Sequence, residues 1–178
     1  MDVPSFIAGR DLLERAYTHA AHAHAEGDTD IEHPVAVARL LDGAGFGEDA
    51  IAAALLHDVV EDTGEGFGSI ESEFGAEAAG IVEAMTEDSG IADYGERKAE
   101  HRGRVLAAGE VPAATYAADK VARVRSYLES GADVDPSRLA HYRDTLEQFE
   151  RARHDLPFLA ELRVELPRLE ERQRGAGG

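Results

Sequence analysis

The stretch Ile51–Asp62, IAAALLHDVVED, decides how this chain is read. Ala52, Ala53, Leu55, Leu56, Val59 and Val60 are apolar almost all the way round a helix, so the segment is expected to be central and buried. Set into it are His57, Asp58, Glu61 and Asp62. Four ionisable side chains in a buried helix are costly to desolvate unless something compensates them, and a bound cation can hold carboxylates and a neutral imidazole together. A metal site is therefore the first expectation. His57 and Glu61, like Asp58 and Asp62, stand at i and i+4 and share a face, while adjacent His57 and Asp58 lie about 100° apart. The adjacent pair converges on one ion only at the edge of both faces, which leaves the acids a turn later near the ion but outside its shell. A solvated His–Asp pair is the plainer reading of the dipeptide, and it does not explain two further acids within an apolar run.

Upstream, Ser5 is expected to cap a helix running to about Glu26, with Phe6, Leu12, Leu13, Ala16 and Ala20 on one side. It carries His19, His22 and His24, readable as a metal cluster or as the wall of a partly exposed groove. GDTDIE (Gly27–Glu32) reads as a turn. In HPVAVARLLDGAG, Pro34 suits the first helical turn and puts His33 at the cap, where its side chain can project inward. Glu48 opens the central helix, and Thr63 with Gly64 closes it.

Downstream, SIESEF reads as a short helix capped by Ser69, Gly75 as a break, AEAAGIVEAMTE as an amphipathic helix and DSGIADYG as a mobile loop at the mouth of the site. ERKAEHRGRVLAAG collects Arg97, Lys98, Arg102 and Arg104, either ion-pair partners for neighbouring glutamates or a phosphate-facing wall. Pro112 begins a long helix in which Asp119 sits among small and apolar residues. A buried aspartate needs a partner: a metal ion, or a salt bridge to Lys120 or Arg123. A further helix is capped by Asp135 with Pro136 at its first position. A last one, kinked at Pro167, ends in a disordered GAGG tail at residues 175–178. No stretch alternates as a strand, so the expected class is all-α, with about eight helices in one domain over residues 1–178.

The composition narrows the function. Zero cysteines among 178 residues exclude disulfides and thiolate zinc sites, leaving His and carboxylate as the strong ligands and pointing to Mn²⁺, Mg²⁺ or Fe²⁺. With 36 acidic and 18 basic residues the formal net charge is −18, which repels a nucleic-acid backbone and excludes DNA or long RNA as partners. A small phosphorylated ligand stays open, because a divalent cation and a few local bases invert the potential inside one cleft. No run approaches the roughly 18 apolar residues of a membrane span, and MDVPSFIAGRD lacks the regions of a secretory signal, so a cytoplasmic location without membrane contact is expected. A homo-oligomer is compatible with the sequence.

His33, then His57–Asp58 24 residues later, then Asp119 form an H…HD…D pattern in an all-α chain. It resembles the HD superfamily of metal-dependent phosphohydrolases, whose fold is a helical bundle. More narrowly, IEHPVAVARLL, AALLHDVVEDT, FGAEAAGIVEAMTE, ERKAE and AADKVARVR, in that order, resemble the RelA/SpoT hydrolase domain and its single-domain small alarmone hydrolases of the metazoan SpoT homologue type. The likeness covers about residues 12–150. It implies that His33, His57, Asp58 and Asp119 are Mn²⁺ ligands. It also implies that Glu61 and Asp62 are the acidic pair supporting attack by water on the 3′-diphosphate of ppGpp or pppGpp, giving GDP or GTP and pyrophosphate. A divalent ion acidifies its bound water and shields phosphoryl oxygens, and a carboxylate one turn beyond the ligands can orient or deprotonate that water.

The departures from the family pattern concern the substrate. Where the family has an Arg–Lys pair and a tyrosine before the HP, this chain reads HAHAEGDTDIEHP, about two residues shorter, with His24 near the basic positions. Where the family has an Asn after the ADK, Arg123 stands. Lys98 is kept and is the candidate phosphate contact, with His24 and Arg123 the other substrate-facing candidates. These changes leave a second reading, an HD phosphohydrolase of another small nucleotide, 3′-phosphorylated or dinucleotide. A third, a non-catalytic nucleotide sensor, would be marked by loss of Glu61 or Asp62, and both are present.

Overall fold

The computed structural model describes residues 3–27 and 30–176, and its regular structure is helical throughout, ten segments with no strand among the described residues. The chain divides into two compact units, Met1–Glu87 and Asp88–Gly178. The first holds α1 (Asp11–Gly27), α2 (Glu32–Gly43), α3 (Glu48–Leu56), α4 (Val59–Thr63), α5 (Phe67–Phe74) and α6 (Ala76–Met85). The second holds α7 (Tyr94–Ala108), α8 (Glu110–Ser130), α9 (Pro136–Ala152) and α10 (Leu159–Ala176).

In the first unit α3 is the centre. Glu48 and Asp49 occupy its first turn, where carboxylates meet the positive end of the helix dipole. Every residue from Ala50 to Leu56 is buried, with α1, α2 and α6 packed around them. The alanines admit close neighbours, while Ile51, Leu55 and Leu56 fill the space between, each burial contributing roughly 1.5–3 kcal/mol. The expected continuous helix through Asp62 is interrupted: α3 stops at Leu56, His57 and Asp58 form a turn, and α4 resumes at Val59. Both turn residues keep right-handed torsions, so the chain holds its direction. The cause lies in a side chain. His57 Nδ1 donates to the Ala54 carbonyl at 2.7 Å, engaging the acceptor that a continuing helix would present to the Asp58 N–H. The ladder re-forms with Asp62 N–H on the Asp58 carbonyl at 2.9 Å, and α4 ends at Gly64 with φ 73°, a left-handed position suited to glycine.

Several boundaries move for local reasons. Residues 5–9 form turns and α1 starts at Asp11, not at a Ser5 cap, because Gly9 takes φ 80° and breaks the helical path. The Asp30 carboxylate accepts the Glu32 N–H at 2.8 Å and starts α2 early, so His33 is its second residue rather than its cap and Pro34 its third. Pro34 still lies in the first turn, where a missing N–H costs no helix bond. Gly66 precedes α5, which places Ser69 inside that helix instead of at its cap. Of the expected GDTDIE turn, Asp28 and Thr29 lie outside the described residues.

In the second unit α8 packs on α7 and α10, and α9 packs on the same two helices. Small residues along α8, Ala113, Ala114, Ala117, Ala118 and Ala122, are buried beside Tyr116, Val121 and Val124. Asp93 caps α7 by accepting the Glu96 N–H at 2.8 Å, so this helix begins two residues before Glu96. Gly109, with φ 125°, separates α7 from α8, which starts at Glu110 and not at Pro112. The Asp135 cap with Pro136 at the first position is as expected, with Asp135 Oδ1 accepting the Ser137 N–H at 2.8 Å. Arg172 of α10 donates to the carbonyls of Tyr127 and Leu128 at 2.7 and 3.0 Å, satisfying acceptors at the C-terminal end of α8. Pro167 lies inside α10, and Gly175 and Ala176, expected in a disordered tail, belong to that helix. Gly177 and Gly178 lie outside the described residues.

Candidate active site

The break between α3 and α4 builds the site in the first unit. The turn carries His57 and Asp58, and the first turn of α2 brings His33 alongside. One ligand atom from each of the three lies within 4.8 Å of the others, and the two imidazoles meet edge to face with centroids 5.6 Å apart. The Ala54 carbonyl can only accept, so the His57 proton sits on Nδ1 and the lone pair on Nε2 faces Asp58 Oδ1 at 3.1 Å. Two acceptors at that distance repel unless a cation, a proton or a metal ion, lies between them. The separation suits two ligands sharing one ion through bonds of about 2.0–2.2 Å. The donor set therefore fits a divalent cation.

The acids one turn on differ from expectation in burial. His57 is buried and Asp58 half-buried, but Glu61 and Asp62 are exposed, because α4 is short and its end leaves the core. Both are nevertheless held. Glu61 Oε1 accepts the Glu87 N–H at 2.6 Å, and Asp62 Oδ2 lies 3.5 Å from Nδ1 of His24. His24 itself is buried on α1, so an imidazole stands against one of the two candidate catalytic carboxylates.

The other candidates lie in the second unit. Asp119 is buried on α8 and pairs with Lys120, the salt bridge that the sequence had left as one of two readings. Lys120 also stands over the Tyr116 ring, 4.1 Å from its centroid. Burial lowers the Lys120 pKa, but Asp119 and its neighbours outweigh that and hold the ammonium charged. Lys98 and Arg97 both approach the Tyr94 ring, at 5.4 and 5.7 Å. Arg102, one of the four α7 cations, is buried: it donates to His141 Nδ1 at 2.8 Å and to Gln148 at 3.1 Å. Arg104 pairs with Glu100, as ordinary i, i+4 partners do. Arg123 is half-buried on α8.

Two groupings escaped the sequence. His141 carries no local signal, because its partners Arg102 and Tyr116 lie 39 and 25 residues away. The ring of His19 faces Glu65 and Glu73, which three helices, α2 to α4, separate from it in the chain, a distance that no local spacing encodes.

Comparison with known proteins places the chain in a family. The model of the family described as "HD domain" matches residues 10–132. The Danio rerio guanosine-3′,5′-bis(diphosphate) 3′-pyrophosphohydrolase MESH1 is 44% identical over 84 residues, 45% of this chain and 47% of that protein. The probable enzyme of the same name from Synechocystis sp. is 48% identical over 80 residues, 42% of this chain and 10% of that protein. The alignments thus span about half or less of these relatives. Among solved structures, lmo0812 from Listeria monocytogenes EGD-e superposes with a TM-score of 0.70 at 28% identity, covering 78% of this chain and 99% of that one. A metazoan orthologue of SpoT shares the fold with a TM-score of 0.69 at 24% identity over 99% of both chains. With a family match running through His33, the His57–Asp58 turn and Asp119, the chain belongs to the HD domain family.

Proposed function

We propose that the chain is a divalent-cation-dependent phosphohydrolase that removes pyrophosphate from the 3′ position of ppGpp or pppGpp. The observation that carries this reading is the convergence of His33, His57 and Asp58 at the broken helix, with Glu61 and Asp62 one turn beyond. His33, His57 and Asp58 hold the ion, and Asp119 joins them by its place in the Ala118–Lys120 string, which matches the family's ligand position. Mn²⁺ is the favoured ion, since the ligands are nitrogen and oxygen only. When bound, such an ion supplies charge neutralisation for phosphoryl oxygens and acidifies a water within its reach.

The chain's own residues do the rest. The Ala54 carbonyl fixes the His57 tautomer, so its Nε2 is always available on the site side. Glu61, aimed by the Glu87 N–H, takes the proton of the attacking water, and its exposure lets that water enter. Asp62, set against His24, steadies the same water from the adjacent face. Lys98 contacts substrate phosphate. The relatives' names support the choice of nucleotide. Arg123, in place of the family's asparagine, favours a second reading in which another 3′-phosphorylated nucleotide is the substrate.

The test is pyrophosphate release from ppGpp by the purified protein with Mn²⁺, beside a chelator-treated sample and a panel of 3′-phosphonucleotides. Metal-dependent turnover of ppGpp is expected. Turnover of another nucleotide alone would move the assignment to the second reading, and no turnover of any would overturn both.

A further inference from the structure

A second imidazole in the first unit is arranged like His57, at a place the proposed reaction does not use. His19 on α1 has Nε2 2.7 Å from Glu65 Oε2 and Nδ1 3.5 Å from Glu73 Oε2. The first distance is a short charge-assisted hydrogen bond and the second is too long for one. The Glu65 carboxylate accepts from Nε2, and Nδ1 is left facing the Glu73 carboxylate. This repeats the His57 pattern, in which one ring nitrogen donates to a fixed acceptor and the other confronts a carboxylate oxygen across a cation-sized gap. Two ligands on one tetrahedral ion with bonds of about 2.1 Å stand roughly 3.4 Å apart, close to the gap found here.

The surroundings favour a cation. Glu65, Glu73 and His19 line a cleft of about 790 Å³ in which Asp11 and Glu14 add two more carboxylates against the single guanidinium of Arg15. The imidazole is braced edge to face by Phe74, ring centroids 5.3 Å apart, which fixes its plane as a ligand requires.

We propose that His19 and Glu73, with Glu65 orienting the imidazole, form a second divalent-cation site that takes a borderline transition ion such as Zn²⁺ or Mn²⁺. The ion ties α1 to α5. Because α1 also carries His24, which meets Asp62, the tie holds that helix in place beside the acidic pair.

Zn²⁺ titrated calorimetrically into the chelator-stripped full chain at pH 7.5 tests it, with Glu73→Gln, His19→Ala and Asp58→Ala measured alongside. Glu73 is half-exposed, so Glu73→Gln is expected to fold, and far-UV circular dichroism checks that. Wild type is expected to bind two equivalents, Glu73→Gln and His19→Ala one each, or the second at least tenfold more weakly. Asp58→Ala is expected to keep the Glu73-dependent equivalent. An unchanged stoichiometry and affinity in Glu73→Gln would overturn the proposal, as would a wild type that binds no ion lost on that change. Loss of an equivalent in Glu73→Gln with none lost in Asp58→Ala would uphold this site and overturn the one at His57.

Discussion

His57 in the first unit and His141 in the second are both buried imidazoles with Nδ1 in a short contact, yet their company is opposite. His57 Nδ1–H donates to a carbonyl, and Nε2 turns toward a carboxylate. His141 Nδ1 accepts a hydrogen bond from Arg102, so its own proton is on Nε2, pointing at the Tyr116 hydroxyl 3.3 Å away. Burial, with Lys120, Lys98 and Arg102 around it, pushes the His141 pKa down to about 2, against a smaller opposing pull from Asp119. A facing carboxylate suits one imidazole to hold a cation, and cationic surroundings make the other an uncharged spacer between helices. Residue type alone does not separate the two roles.

The largest expected effect breaks the comparison at the His57 end. Asp58→Ala should abolish Mn²⁺ binding and turnover together. Glu61→Gln should keep the metal and lose roughly 10²–10⁴-fold in kcat, the usual worth of a general base. Metal content by elemental analysis and pyrophosphate release read the two quantities separately. Glu61→Gln that sheds its metal, or that keeps near wild-type kcat, would remove Glu61 from its assigned role.

The next effect sits at the other end. Arg102→Met removes the donor to His141 and Gln148 and leaves a buried acceptor unsatisfied, which should cost about 1–3 kcal/mol in urea denaturation. Metal stoichiometry should not change. If it fell while stability held, the cationic cluster would belong to the reaction and the contrast between the two imidazoles would fail.

How much of this was legible follows the range of the interactions. The all-α class, the Asp135–Pro136 start and the Gly64 and Gly75 breaks are set within a few residues, and each is readable from propensity and left-handed torsions. The closeness of His57 and Asp58 is readable because it is set by adjacent residues. The interruption at that pair was not, since periodicity is blind to a side chain that captures the Ala54 carbonyl. The exposure of Glu61 and Asp62 was missed for a related reason: a helical wheel assumes the helix continues through the core, and α4 ends after five residues. The division near Glu87 falls at DSGIADYG, residues 88–95, whose sequence marks a loop but not a boundary between units. His19 with Glu65 and Glu73, and Arg102 with His141, required the fold, because their partners are dozens of residues apart.

The smallest effect concerns acid, and it sharpens the contrast by its sign. His141 titrates near 2 in the folded chain against an ordinary 6.5, so between those values the unfolded state binds the proton and the native state does not. Stability is therefore fully present above about pH 6.5 and falls as the pH drops below it, by up to about 1.4 kcal/mol per unit from this group. The groups that face it are Tyr94, Lys98 and Arg102 from α7, Tyr116, Asp119 and Lys120 from α8, and Tyr142 on its own helix, where burial holds the phenol neutral. None of them supplies a compensating proton in this range while Asp119 stays paired with Lys120. His141→Gln keeps an acceptor for Arg102 and a donor for Tyr116 and removes the titration. Urea denaturation between pH 7.5 and 4.5 should show a steeper loss in wild type than in His141→Gln. Equal slopes in the two proteins would mean that His141 charges in place, and that the cations around it do not hold it neutral.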